Sequence, residues 1–145
     1  MKYIVNSGGL GNQMFRYSLL LTLRNSGYKV SFLKNRFRTL FLKDEIENVF
    51  VDIKMSDCKI SFIVNIFYSV LRYFPKEFRL LLLNFFQVYE FHEKGWFVYD
   101  EKVFDFEHYN QIYIGTWQSE MYFSSARNKI KCAFQFNEKN FRISL

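Results

Sequence analysis

Three of the chain's six glycines and two side-chain amides fall within one run of eight residues, 8–15, which reads GGLGNQMF. Glycine permits a positive φ and lets another group approach the backbone closely. Where a helix begins, the first N–H groups have no partner within the helix and, with the helix dipole, favour an anion such as a phosphate. The run therefore predicts a loop that binds an anion such as a phosphate, with Gly9, Gly11, Asn12 and Gln13 as the candidate contacts.

The residues on either side of this loop predict the elements that position it. Residues 2–6 form a short, β-branched, apolar run typical of a buried strand, and residues 14–23 carry apolar side chains at helical spacing. Gly27 is a helix stop and residues 29–33 predict a second strand, so the chain begins with a βαβ unit and a parallel strand pair. A plain strand-to-helix turn, with Asn12 as the helix cap, is the alternative to a binding loop.

The spacing of the glycines excludes the two best-known phosphate loops. A dinucleotide-binding fingerprint needs a third glycine three positions after Gly11, and that position holds Met14. A Walker A loop needs glycine and then lysine at the positions where Gln13 and Met14 stand. Neither class of phosphate loop accounts for the run.

The run instead resembles a motif of the α-1,2-fucosyltransferases, glycosyltransferase family 11. Residues 8–18 read GGLGNQMFRYS, against the family's GGLGNQMFQYA. Residues 113–123 read YIGTWQSEMYF and are similar to the family's GYWQSEKYF segment, with Thr116 and Met121 departing from it. Residues 133–136 resemble the run that precedes the family's HxRRxD motif, which this sequence lacks. The resemblance therefore covers the amino-terminal half of the family only.

The resemblance implies an α/β fold with a Rossmann-like parallel sheet and flanking helices, the amino-terminal half of a two-domain GT-B-type glycosyltransferase. Residues 1–145 are then one acceptor-side domain, without the donor domain that carries HxRRxD. The family transfers L-fucose from GDP-fucose to the 2-hydroxyl of a galactoside, with inversion and without a metal. We expect this chain alone to be inactive, and a separate carboxyl-terminal half is an expected partner.

A second group of candidate ligand contacts follows the strand predicted over residues 111–115. Trp117 and Gln118 lie just past its end, where ligands of α/β proteins bind, and an indole face suits stacking on galactose. A buried tryptophan is the alternative. Ser119 and Glu120 are predicted to cap a helix that extends to about residue 134. No general base is assigned.

Composition limits the function classes. A chain of 145 residues with 50% hydrophobic residues and one proline is a globular domain, and 19 phenylalanines indicate a partner surface. The net charge of +6 favours phosphate-bearing ligands or an anionic membrane, while the scattered basic residues carry no nucleic-acid motif. Cys58 and Cys132 form no metal or disulfide pattern. The amino terminus has no signal-peptide pattern. It also lacks the membrane anchor of the animal fucosyltransferases, so the resemblance implies a bacterial, cytoplasmic protein, at most at the inner face of the membrane.

Two apolar helices are predicted over residues 60–74 and 76–87, separated by Pro75. The polar residues of the first helix lie on one narrow stripe. We therefore expect this helix to be mostly buried, either against the sheet or against the carboxyl-terminal half that the family has and this sequence lacks. Contact with an anionic membrane is the alternative, because basic residues cluster near the proline. The resemblance implies irregular structure with short strands over residues 40–51. A loop with a short strand is predicted over residues 94–110.

Three functions remain open from the sequence. The first is the acceptor-side half of a fucosyltransferase. The second is a stand-alone module that binds an anion or nucleotide through the same glycine loop without catalysis. The third is a peripheral membrane protein that acts through residues 60–87.

Overall fold

A four-stranded, all-parallel sheet forms the centre of the protein. The computed structural model describes residues 1–34, 45–50, 52–54, 62–105, 108 and 110–135, and all structural statements refer to these residues. The strands are β1 (Lys2–Asn6), β2 (Val30–Lys34), β3 (Val88–His92) and β4 (Asn110–Ile114), in the order β2-β1-β4-β3. The helices are α1 (Leu10–Asn25), α2 (Ile46–Val49), α3 (Phe62–Leu71), α4 (Lys76–Phe85) and α5 (Arg127–Ala133), with 3₁₀ turns at Glu101–Phe104 and Glu120–Ala126. The predicted α/β class, with a parallel sheet flanked by helices, is confirmed.

The predicted βαβ unit forms the middle of this sheet. β1 pairs with β2 in parallel, with Ile4 opposite Phe32, and pairs with β4 on its other side. Because β1 has a strand on both sides and helices on both faces, its side chains are almost all buried, as the apolar run predicted. The glycine loop therefore leaves the sheet from its centre.

Side chains alternate between two apolar layers across the sheet. Ile4, Phe32 and Tyr113 belong to the larger cluster, which α1 and the Glu120–Ala126 turn complete. Val5, Leu33 and Ile112 belong to a second cluster with side chains from α3 and α4. The period of two residues along each strand produces this division. The loops that follow β1 and β4 both lead into the layer of α1.

Three local predictions differ from the structure. β3 was not predicted, because the helical pattern of α4 runs almost to the strand and the chain reverses at Gln87, a non-glycine residue with φ of 53°. The single helix predicted over 119–134 is a 3₁₀ turn followed by α5, and Ser119 makes no side-chain cap. Tyr122 fixes this turn, because its hydroxyl donates to the Val98 carbonyl at 3.0 Å and accepts from the Asp100 N–H at 2.9 Å.

Residues 40–51 and 94–110 are the two regions for which only loops and short strands were expected. Within 40–51, residues 46–49 form α2, whereas 40–44 and 51 lie outside the described residues. In the described part of 94–110, the chain forms the 3₁₀ turn Glu101–Phe104, and Asn110 is the first residue of β4, whereas 106, 107 and 109 lie outside the described residues. Cys58 also lies outside the described residues, and Cys132 is a free, exposed thiol.

The buried and exposed faces of helix α3 are the reverse of those predicted. Asn65 and Ser69, from the predicted polar stripe, are buried, while Ile63 and Phe67 are exposed. The prediction that this helix is mostly buried is therefore wrong. In the described part of the chain, no helix has the length and apolar composition needed to cross a membrane.

Buried tyrosines give the fold a measurable response to alkaline pH. Burial and the neighbouring Glu90 raise the pKa of Tyr68 to about 12, and burial raises the pKa of Tyr113 as well. An unfolded tyrosine ionises near pH 10, so the stability linked to Tyr68 is fully present below pH 10 and is lost as pH rises toward 12. We expect absorbance at 295 nm to show a late tyrosinate phase that Tyr68→Phe reduces. Replacement of the exposed Tyr73 by phenylalanine is the control and should leave that late phase unchanged.

Candidate binding site at the carboxyl ends of β1 and β4

The glycine loop begins directly after β1, and its three glycines have different surroundings. Gly8 has φ of +83°, a conformation that favours glycine. Gly9 is the N-cap of α1, with φ of −74° and ψ of −179°, values that any residue adopts. A Cβ built on Gly9 or Gly11 meets no described atom within 4 Å, and both residues are exposed. The turn itself therefore requires glycine at position 8 but not at 9 or 11.

The two amides of the loop have different roles. Gln13 is buried, and its side chain donates to the Gly8 carbonyl at 2.9 Å and accepts from the Ile46 N–H at 3.1 Å. Asn12 is partly exposed, and its Oδ1 accepts from Gln118 Nε2 at 3.4 Å. Gln13 thus holds the loop in shape, whereas Asn12 stays accessible to a ligand. Since Gly9 is the N-cap, Asn12 does not cap the helix.

Arg16 joins the loops that follow the two central strands. It is buried, and its guanidinium donates to the Ser7 carbonyl and, at 2.9 Å, to the Gly115 carbonyl. Burial lowers the pKa of Arg16 to about 10, against an opposing effect of Glu93, so the side chain remains a cation at neutral pH. The sequence analysis missed this residue. The sequence does contain a signal for it: Arg16 lies four positions before Leu20 and therefore on the same, apolar face of the predicted helix.

The loop after β4 is held by a carboxylate. Glu93 accepts from the Thr116 N–H at 2.6 Å, the Thr116 hydroxyl at 3.0 Å and the Trp117 N–H at 2.9 Å. These bonds hold Trp117 at φ of 60°, a left-handed conformation that costs a non-glycine residue about 1–3 kcal/mol. Strained backbone of this kind often lies at binding sites. Gln118 follows at once and is partly exposed.

Trp117 is enclosed in the core. Its side chain is 0% exposed and packs against the rings of Phe91 and Tyr122. Its indole N–H has no hydrogen-bond acceptor among the described residues. In this arrangement the indole presents no face on which a sugar can stack, and Trp117 acts by shaping the loop that carries Gln118.

A cleft of about 450 Å³ is formed by the Glu120–Ala126 turn and α5, which come after the loop that carries Gln118. Phe123, on its wall, stacks on Phe15 with ring centroids 6.2 Å apart, one helical turn along α1 from Asn12. Its lining also includes three charged residues, Glu120, Arg127 and Lys131. None of its described lining residues belongs to the glycine loop or to residues 115–118, so the cleft does not include the candidate ligand contacts.

The two histidines lie elsewhere on the sheet. His92 is 3.2 Å from Glu90, which also contacts α3 and α4 through Tyr68 and Arg79, on the opposite face from α1. The ring of His108 stacks on Tyr89 of the edge strand. Within the described ranges, no three His, Cys, Asp or Glu side chains are grouped so that they could hold a metal ion.

Asn12 and Gln118 are 106 residues apart in sequence, yet their side chains meet at the carboxyl edge of the sheet. No protein-family model, no curated protein and no solved structure matches this chain. The chemistry of the site is therefore inferred from its own residues. It offers exposed N–H groups at the start of α1, two accessible amides and a buried cation behind them. Such a set of groups suits a polyhydroxylated or phosphorylated ligand.

Gly115 makes a steric demand that can be tested. A Cβ at this position would lie 2.6 Å from Glu93 Cβ and 3.0 Å from the Trp117 ring. We expect Gly115→Ala to lower the free energy of unfolding by about 1–3 kcal/mol, because overpacked side chains must shift. Chemical denaturation measures this change. Gly11→Ala is the matched control, and we expect it to be neutral or stabilising by up to about 1 kcal/mol, since its Cβ meets open space.

Proposed function

We propose that this chain is the acceptor-side half of an inverting α-1,2-fucosyltransferase. The complete enzyme would transfer L-fucose from GDP-fucose to the 2-hydroxyl of a galactoside, in a GT-B arrangement of two facing domains. In support, the two segments that resemble the family lie at the carboxyl ends of the adjacent central strands β1 and β4, and their accessible amides meet. Parallel α/β sheets bind their ligands at this carboxyl edge.

One observation carries the proposal: the fold does not require glycine at positions 9 and 11. Within the helix, at Gly11, glycine costs up to about 1 kcal/mol relative to alanine. At Gly9, the N-cap, other residues cap at least as well, and no described atom occupies the space of either Cβ. A plain strand-to-helix turn would need glycine only at position 8. Close approach of a ligand to the backbone is a physical reason for glycine at the other two positions.

The proposed chemistry is a single displacement. It requires stabilisation of the diphosphate leaving group, transfer of the attacking hydroxyl's proton to a general base, which is not assigned in this chain, and alignment of that hydroxyl with the anomeric carbon. The first-turn N–H groups of α1, with Arg16 buried behind them, provide positive potential toward the negative charge that develops. Asn12 and Gln118 orient the acceptor sugar through its hydroxyls. Gln13 and Trp117 keep this arrangement in shape from inside the protein.

The test separates the loop's binding role from its structural role. The chain is combined with a carboxyl-terminal half from the family that contains HxRRxD, and fucose transfer from GDP-fucose to lactose is measured. We expect Gly9→Ala and Gly11→Ala to lower kcat/KM by about 10- to 100-fold, since a methyl group blocks approach to the backbone. The melting temperature of Gly11→Ala should be unchanged or higher, whereas Gly9→Ala should lower it slightly, because alanine is a poorer N-cap than glycine. Asn128→Ala, at an exposed position of α5, is the control and should keep full activity.

Two outcomes would contradict the proposal. Absence of transfer by the combined halves, with both soluble and folded, would count against a split enzyme. Full activity of both glycine variants would show that the loop is only a turn. Calorimetry with GDP on the isolated chain addresses the stand-alone binding module. An acceptor-side half should bind GDP weakly, whereas micromolar affinity abolished by Gly11→Ala would favour that module.

A further inference from the structure

The outward face of α3 is apolar over its whole length. Ile63, Phe67, Val70 and Phe74, at spacings of four, three and four residues, are 76%, 46%, 42% and 44% exposed. This spacing places them on a single stripe along the helix axis and its C-terminal extension. The helix therefore presents its apolar stripe to the outside while its polar residues face inward.

A second exposed stripe on α4 joins the first. Phe78, Leu81 and Phe85 are 44%, 66% and 80% exposed. The rings of Phe74 and Phe78 are 5.2 Å apart across the turn between the helices, and those of Phe67 and Phe86 are 6.0 Å apart at the other end. The two stripes thus form one continuous surface, here called the hairpin surface. It consists of Ile63, Phe67, Val70, Phe74, Phe78, Leu81, Phe85 and Phe86.

An apolar cavity of about 130 Å³ lies beneath this surface, between the helices and the sheet. Buried Leu33 and Ile112 of the sheet line it, together with the half-exposed rings of Phe67 and Phe86. Since those rings reach solvent, the cavity approaches the exterior between them. An apolar group inserted from outside would fill space that the protein leaves unpacked.

The charges beside the hairpin surface are mainly positive. Arg72 and Lys76 are exposed on either side of Pro75, although Arg72 also hydrogen-bonds the Tyr68 side chain, and Glu77 is the one acidic residue between positions 62 and 87. Arg79 is not available to bind an external anion, because it is paired with Glu90 at 3.2 Å and its side chain is 13% exposed. The chain as a whole carries +6. The charge beside the hairpin surface and the net charge of the chain are both positive, and both favour an anionic surface as the occupant.

We propose that the hairpin surface binds the face of an anionic phospholipid bilayer. Each helix has 10 residues, about 15 Å, half the thickness of the hydrocarbon core, so the pair lies in the interface and does not cross the membrane. The apolar side chains enter the acyl boundary, and Arg72 and Lys76 contact lipid phosphates. This proposal is independent of the transferase proposal, since neither loop of the binding site contributes to it.

The test is co-sedimentation of the 145-residue chain with vesicles of phosphatidylcholine that contain about 30% of the anionic lipid phosphatidylglycerol. We expect binding that weakens as salt rises from low to about 0.5 M, because surface electrostatics are then screened. The double variant Leu81→Ser with Phe85→Ser should weaken partitioning by at least tenfold, since two exposed apolar anchors are lost. The double variant Arg72→Gln with Lys76→Gln should weaken it about 25-fold, about fivefold for each charge.

Met121→Ser is the matched control, because Met121 is an exposed apolar residue, 60% accessible, outside the hairpin surface. It should keep wild-type binding, and circular dichroism should show that all variants fold. No sedimentation of the folded wild type, or binding unaffected by the Leu81 and Phe85 changes, would overturn the proposal. So would a dimer in analytical ultracentrifugation that these changes dissociate, or vesicle binding that a family carboxyl-terminal half abolishes, because the occupant is then protein.

Discussion

Replacing Trp117 with alanine is expected to lower the free energy of unfolding by about 3–5 kcal/mol, the usual cost of removing a large buried aromatic side chain. The indole is 0% exposed and packs on three other aromatic rings, of Phe91, Tyr113 and Tyr122. Its removal leaves a cavity that these rings cannot fill without moving. Urea denaturation followed by far-UV circular dichroism measures the change. For a domain of this size, the melting temperature should fall by about 10 °C or more.

The backbone at this position supplies an unusual control. Alanine in a helix or strand is more stable than glycine, but φ of 60° at Trp117 reverses this preference. We therefore expect Trp117→Gly to be more stable than Trp117→Ala by about 1 kcal/mol. If the alanine variant is the more stable of the two, the left-handed conformation is wrong. If neither variant loses stability, the burial of the indole is wrong.

Replacing Glu93 with alanine is expected to cost about 3–4 kcal/mol. Hydrogen bonds to a charged group contribute about 1.5–3 kcal/mol each and three donors lose their acceptor, but Glu93 is partly exposed, so water replaces part of what is lost. Those donors are the N–H and hydroxyl of Thr116 and the N–H of Trp117. The loop would then lose the contacts that keep Trp117 in its left-handed conformation. Denaturation again gives the global effect.

A local readout separates loosening of the loop from general destabilisation. The chain has two tryptophans, and Trp96 is 76% exposed, so a Trp96→Phe background reports on Trp117 alone. In that background, Glu93→Ala should shift the emission to longer wavelength and increase quenching by acrylamide under native conditions. Glu101→Ala, at an exposed position, is the control and should change neither. An unchanged emission in the Glu93 variant would show that the carboxylate does not hold the loop.

The two predictions bear on the proposed function through Gln118. This residue follows Trp117 directly, and its amide meets that of Asn12. Binding groups must be held closely to orient a substrate, so support from inside the protein matters as much as the contact residues themselves. In the combined enzyme, loss of Glu93 should therefore reduce activity even at temperatures where the variant remains folded.

The sequence by itself determined the elements whose signals are local. The β-branched run of β1, the glycines of residues 8–11 and the apolar period of α1 predicted a strand, a loop and a helix, and the parallel pairing with β2 followed from them. Periodicity and turn residues depend on neighbours a few positions apart, so one sequence displays them. The same reasoning located α4 and β4 to within a few residues.

Tertiary structure alone decided which faces are covered and which distant residues meet. Asn65 and Ser69 lie inside and Phe67 outside, although helical spacing is satisfied by either orientation. Nor does any local pattern bring Arg16 to the Gly115 carbonyl. From the sequence, Trp117 could be either a sugar contact or a buried core residue, and only the packing around it shows that it is buried. Local periodicity fixes the kind of element, whereas burial depends on the surfaces that the rest of the chain supplies.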